Sequence, residues 1–178
     1  MNKWTDTDHV TSYLNRADRI PHSKEGEHVL MEHLPDTVSR VLDIGTGDGR
    51  LLSMILAWQP NAEGVGLDFS PAMLEQARSQ FAGNKNVQIV EANLEECLPK
   101  LGTFDAIVSS FAIHHCSHER KRSIYEEVYE MLSPGGIFCN LEHVASPTDR
   151  LHERFMKSIG ESVETEDPTN KLLDLRLS

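Results

Sequence analysis

Three glycines fall within five positions, Gly45-x-Gly47-x-Gly49, between the apolar run "RVLDI" and the helix-like run "RLLSMILAW". Gly-rich turns of this kind usually present backbone N–H groups and a helix N-terminus to a phosphate. This one carries Asp43 before its glycines, Asp48 among them, and no lysine. The third glycine of a dinucleotide fingerprint would fall at position 50, which is Arg50, and no Gly-Lys-Ser/Thr follows as a P-loop requires. Two carboxylates beside such a turn oppose a pyrophosphate and favour a cation.

S-adenosylmethionine satisfies that electrostatics. It has no phosphate, and its sulfonium and ammonium make it a net cation. Without Cβ atoms the loop can turn tightly and lie against the methionine portion. Asp68, at the end of the next apolar run, suits the two vicinal ribose hydroxyls, because two donors match one carboxylate. His114 and His115 follow "FDAIVSSF" and could supply a general base toward an acceptor. Their alternative role is to shape the pocket. A metal reading of His114, His115, Cys116 and His118 is set aside, since adjacent positions rarely converge on one ion. His9, His22, His28 and His33 read as surface or lid residues, with Arg16 and Arg19 reaching from the lid toward the methionine carboxylate. Asp48 serves equally well as a helix N-cap.

Alternating strands and helices must carry these residues. Val10, Tyr13, Leu14 and Ala17 share a helical face, and a second helix runs from a Ser23 cap to Pro35. "VSRVLDI" reads as a strand, followed by the helix "RLLSMILAW", then the strand "AEGVGLD". "SPAMLEQARSQF" is a helix with Ser70 as cap, Pro71 at N1 and Met73, Leu74, Ala77 and Phe81 on one face. "NVQIVEA" and "FDAIVSSF" are further strands. Ser117 caps a helix lined by Ile124, Val128, Met131 and Leu132, "SPGG" stops it, and "IFCNLEHV" is the fifth strand. The pattern is α/β: a doubly wound, Rossmann-like, mostly parallel sheet with helices on both faces. Ligands of such folds sit beyond the carboxyl ends of the strands, where Asp43, Asp68, Asn93 and Ser109 converge.

The 178 residues suit one domain, and no run approaches a membrane span. A net charge of −11 repels nucleic acid and anionic membranes, which favours a small-molecule acceptor. The short "ERKR" at 119–122 reads as the solvated start of a helix. Three cysteines without a CxxC pair fit reduced thiols in a cytoplasm, and the N-terminus lacks a signal-peptide layout.

"VLDIGTGDG", "GVGLDFSPAMLEQAR", "ANLEE", "FDAIVSSFAIHH" and "LSPGGIF" resemble, in order and from Val38 to Val144, the successive motifs of class I S-adenosylmethionine-dependent methyltransferases. More narrowly they are similar to the small-molecule group with trans-aconitate-type enzymes. The resemblance implies that Gly45, Thr46, Gly47 and Gly49 line the methionine and ribose, with Asp43 near the ammonium and Asp68 on the ribose. It implies that Phe69 and Met73 flank the adenine, although a Met on a helical face equally suits the core. Asn93 and Leu94 would lie at the adenine edge, where many relatives have Asp, and Ser109 would face the methionine portion or the acceptor. The reaction implied is in-line methyl transfer to a small molecule with S-adenosylhomocysteine as product, His114 being the candidate base and no metal being required.

These readings divide the chain into a helical lid (1–35), a cofactor-binding core (36–145) and a shortened C-terminal segment (146–178). In that segment "PTDRLHERFMKSIG" supplies a helix and "NKLLDLRLS" one short strand, too little for the family's terminal hairpin. An exposed fifth-strand edge, covered in a homodimer, is the expected consequence. A non-catalytic cofactor-binding domain is the alternative, and an NAD-dependent oxidoreductase a weaker one.

Overall fold

The computed structural model describes residues 23–142, 144 and 146–158. The expected first helix at Val10–Ala17, Arg16, Arg19, His9 and His22, and the strand expected in "NKLLDLRLS", lie outside the described residues. The described residues fall into two compact units divided between Glu142 and His143. The smaller holds one helix, α5 (Asp149–Ser158), within the segment expected to be helical.

In the larger unit, α1 (Ser23–His33) precedes β1 (Arg40–Ile44), α2 (Arg50–Trp58), β2 (Glu63–Asp68), α3 (Pro71–Gln80), β3 (Val87–Glu91), β4 (Phe104–Ser110), α4 (His118–Met131) and β5 (Leu132–Leu141). The five strands form one sheet in the order β3-β2-β1-β4-β5, every pair parallel. Parallel neighbours need crossover connections, and the intervening helices supply them. From β1 the chain builds outward through β2 and β3, then returns to build β4 and β5 on the other side. The order therefore reverses between β1 and β4, where Ile44 pairs with Leu67 on one side and Ser109 on the other.

Alternation along each strand divides the core between the two faces of the sheet. Leu42, Ile44, Val65, Leu67 and Ile107 pack with Ile124 and Val128 of α4. Val41, Ala106 and Val108 pack with Leu30 of α1 and with Leu51, Leu52 and Ile55 of α2. Each fully buried aliphatic side chain contributes about 1.5–3 kcal/mol, so both layers hold the strand ends firmly. Asp43, between Leu42 and Ile44, shares the α1–α2 face and is buried there.

Two local expectations are corrected. Ser70 occupies the N-cap position of α3, with Pro71 at N1, but its side chain makes no capping hydrogen bond. Leu132 does not end the helical face of α4: its backbone is extended and it opens β5 opposite Phe104. The "SPGG" segment then belongs to β5. Register slips between the pairs Phe104–Leu132 and Ala106–Ile137, so these residues form an irregularity within the strand.

Candidate functional site

All three loop glycines have left-handed backbone, φ +74° at Gly45, +57° at Gly47 and +91° at Gly49. A Cβ on Gly45 would lie 2.1 Å from the Cβ of Ala112, so the loop packs tightly on the segment after β4. A Cβ on Gly47 would meet nothing nearer than the Met73 sulfur at 4.0 Å, leaving room for a ligand against that backbone. Between them Thr46 is buried, its N–H donating to Leu67 O at 2.7 Å.

Asp43 is 1 % exposed. Its Oδ2 accepts from the Thr46 hydroxyl at 2.8 Å, while Oδ1 has no hydrogen-bond partner among the described residues. Burial pushes this carboxyl up to about 7; the Thr46 hydroxyl pulls the other way, and the Asp68 charge adds to the rise. A buried carboxylate oxygen without a donor is costly unless a ligand supplies one.

Asp68, ending β2, accepts from Gly47 N at 2.9 Å through Oδ2 and from Ser70 N at 2.8 Å through Oδ1. Each oxygen thus spends one lone pair on the backbone and keeps one, which matches a vicinal diol. Burial raises its pKa, opposed by the Ser70 and Gly47 amides. Phe69 is half-buried, and Met73 is 3 % exposed with its sulfur toward Gly47. Beyond β3, Asn93 is exposed, its Oδ1 accepting from Glu95 N at 3.1 Å, and Leu94 is buried.

Asp48 does not occupy the N-cap of α2, which is Gly49; its Oδ1 instead accepts from Arg50 N at 3.2 Å. Arg50, notable in the sequence only for displacing a glycine, forks onto Glu27 of α1 through both terminal nitrogens. Glu27 is 2 % exposed.

The other half of the sheet carries a second group of polar residues. Ser109 is fully buried and its hydroxyl donates to Ile44 O at 2.8 Å, tying β4 to β1. Phe111, just past β4, takes a left-handed backbone (φ +53°), an uncommon strain for an aromatic residue that sits at functional turns. It leads into a short 3₁₀ turn, Ile113–His115. There the His114 N–H donates to Glu142 Oε1 at 3.0 Å, and its Nδ1 lies 2.6 Å from Glu142 Oε2. The His115 ring stands 4.0 Å from that of His114, centroid to centroid. Sequence reading missed Glu142; its place at the carboxyl end of the fifth strand was the available signal. It also misread Arg120 of "ERKR", which is 9 % exposed and not solvated. No group of three His, Cys, Asp or Glu among the described residues could hold a metal ion.

The strand order sets these groups in a row: Asn93 and Leu94 beyond β3, Asp68 ending β2, Asp43 on β1 with the glycines after it, then Ser109 on β4, with His114 beyond β4 and Glu142 beyond β5. A long ligand with a cationic end and a diol in its middle can lie along β1 to β3. A second molecule can then meet its cationic end across the switch between β1 and β4.

Comparison with known proteins agrees with this layout. Residues 41–136 match a methyltransferase domain family model. A demethylmenaquinone methyltransferase of Thermus thermophilus is 36 % identical over 109 residues, covering 61 % of this chain and 49 % of that protein. The chain spans about half the length of the curated relatives it matches. Among solved structures, S-adenosylmethionine-bound CalS10, an amino pentose methyltransferase from Micromonospora echinaspora, superposes with TM-score 0.57 and 25 % identity, over 70 % of this chain and 50 % of that one. An O-methyltransferase family protein from Burkholderia thailandensis shares the fold, with TM-score 0.67 at 17 % identity over 97 % of this chain and 55 % of that one. These matches give no support to the narrower likeness to trans-aconitate-type enzymes. With its family match covering more than half of the sequence and its glycine loop and strand-end carboxylates in register, the chain belongs to the class I S-adenosylmethionine-dependent methyltransferases.

Proposed function

We propose that this chain binds S-adenosylmethionine along the carboxyl ends of β1, β2 and β3 and methylates a small molecule held against β4 and β5. The observation that carries the reading is Asp43 Oδ1, a buried carboxylate oxygen beside a glycine loop with no hydrogen-bond partner among the described residues. An ammonium supplies the missing donor, whereas a phosphate would be repelled. Asp68 would hold the ribose hydroxyls, Gly45, Thr46, Gly47 and Gly49 the methionine and ribose, and Phe69, Met73, Asn93 and Leu94 the adenine. Ser109 would border the methionine portion. When bound, the cofactor supplies an electrophilic methyl group, so the chain's own task is chiefly to align an acceptor lone pair with it.

His114 would take the proton from a hydroxyl or amine acceptor. Glu142, accepting from an Nδ1–H of His114, would direct Nε2 to act as base. A carboxylate acceptor would need no base. The Thermus relative is named for demethylmenaquinone and CalS10 for an amino pentose, which supports a small-molecule acceptor here. The net charge of −11 supports the same choice over nucleic acid. No helix among the described residues is long and apolar enough to cross a membrane. The free thiols of Cys97, Cys116 and Cys139 fit a reducing, cytoplasmic setting.

The test is transfer of labelled methyl from S-adenosylmethionine to a panel of small hydroxyl, amine and carboxylic acids. Turnover on a hydroxyl or amine acceptor should fall about 10²–10⁴-fold in His114→Ala, with S-adenosylhomocysteine affinity unchanged. Turnover unchanged in that variant would remove the base role. Binding without transfer to any acceptor would favour a non-catalytic cofactor-binding domain.

A further inference from the structure

Arg120, Ile124 and Val128 lie in one i, i+4 row of α4, and all three are buried. A guanidinium in such an apolar row must be fully engaged. Its Nε donates to Leu94 O at 2.5 Å, and one terminal nitrogen to Glu127 Oε1 at 2.5 Å. The other donates to Glu96 O at 2.5 Å and Glu127 Oε2 at 2.9 Å. Glu127 Oε2 in turn accepts from Leu98 N at 2.8 Å. One arginine and one glutamate therefore hold the backbone of residues 94, 96 and 98 at three points.

That segment begins at Asn93, and Ala92 N bonds to Asp68 O at 2.9 Å, so it leaves the sheet directly beside the carboxylate proposed for the ribose. β3 ends beside Asp68, so a base attached to a ribose held there would lie over the end of β3. We propose that Arg120, oriented by Glu127, is a positioning residue that sets the turn 93–98 and thereby makes the cofactor site selective for adenine. The proposal rests on the cofactor reading above. The mechanism is geometric. The Asn93 side-chain oxygen and the Leu94 N–H can accept and donate along the amino-bearing edge of adenine only while the turn is held. Hypoxanthine presents an oxygen and a protonated ring nitrogen at the same two places, and is rejected.

Titration calorimetry tests this with S-adenosylhomocysteine and with the analogue that carries hypoxanthine in place of adenine. The unmodified chain should prefer the adenine ligand by about tenfold or more. In Arg120→Lys that preference should collapse toward one, because a point-like ammonium with three donors cannot span the four oxygens that the planar fork reaches. Arg122→Ala, a change at an exposed neighbour, should leave it intact. Weaker binding of both ligands at an unchanged ratio would mean that the network only stabilises the fold, and would overturn the proposal. Glu127→Gln gives the same readout should Arg120→Lys fail to fold. Hydrogen exchange on the unmodified chain is independent of any variant: the adenine ligand should protect residues 93–98 more than the hypoxanthine ligand, and equal protection would overturn the assignment. Absence of binding by either ligand to the unmodified chain would instead remove the cofactor reading on which the proposal rests.

Discussion

At the residue scale, the site is governed by one buried acid. Burial raises the Asp43 carboxyl to about 7, so it favours the protonated form in the folded chain more than in the unfolded one. Its contribution to stability is therefore fully present below the ordinary carboxylate range and is lost as pH rises through about 7. Asp43→Asn should accordingly unfold at higher temperature than the unmodified chain above pH 7, with the difference vanishing toward pH 4, as thermal melts across that range would show. Cofactor binding as proposed would run the other way, since only an ionised Asp43 would pair with the ammonium. S-adenosylhomocysteine affinity should rise as pH increases from about 6 to 8 and become nearly flat in Asp43→Asn. Flat affinity in the unmodified chain would place the ammonium elsewhere. The placement of Asp43, Asp68 and the glycines was legible in the sequence because it is local to one loop and two strand ends. Glu142, Glu27 and Arg120 were not. Each acts on a partner 23 to 28 positions away in the chain, and only packing brings the two together.

At the scale of elements, the pairing of Arg50 with Glu27 joins α1 to the start of α2, immediately after the glycine loop. Glu27 is almost wholly buried while Arg50 is 43 % exposed, so solvent screens one partner and not the other. Arg50→Ala leaves the Glu27 charge without its fork and should cost about 1–3 kcal/mol, read as a fall of several degrees in melting temperature. Adding Glu27→Gln to that variant should recover part of the loss. Strictly additive losses would show that the pair is not coupled. The helices were read well from the sequence: α2 spans the residues expected, and α3 begins at its N1 proline. Their apolar faces and the N1 proline are local signals, whereas the side-chain caps expected of Asp48 and Ser70 are not made. The start of β5 was misread because "SPGG" carries the usual signals of a loop, whereas pairing with β4 absorbs it into an irregular strand.

At the scale of the molecule, the sequence specified alternating strands and helices but left the strand order open, because order is decided by which faces cover which. The order that forms leaves β5 bonded to β4 alone among the described residues. The homodimer expected from the sequence would place a second copy on this edge. Sedimentation velocity should show mass rising toward a dimer with concentration. Hydrogen exchange should slow in β5 over the same range and not in β3. A monomer at every concentration would contradict the pairing. Cofactor binding itself is tested most directly by calorimetric titration of the chain and of Asp68→Ala with S-adenosylhomocysteine, both checked for fold by circular dichroism. Micromolar binding to the unmodified chain is expected, weakened about a hundredfold or more when the two proposed ribose hydrogen bonds are lost. A folded chain that does not bind, or that binds equally well without Asp68, would contradict it.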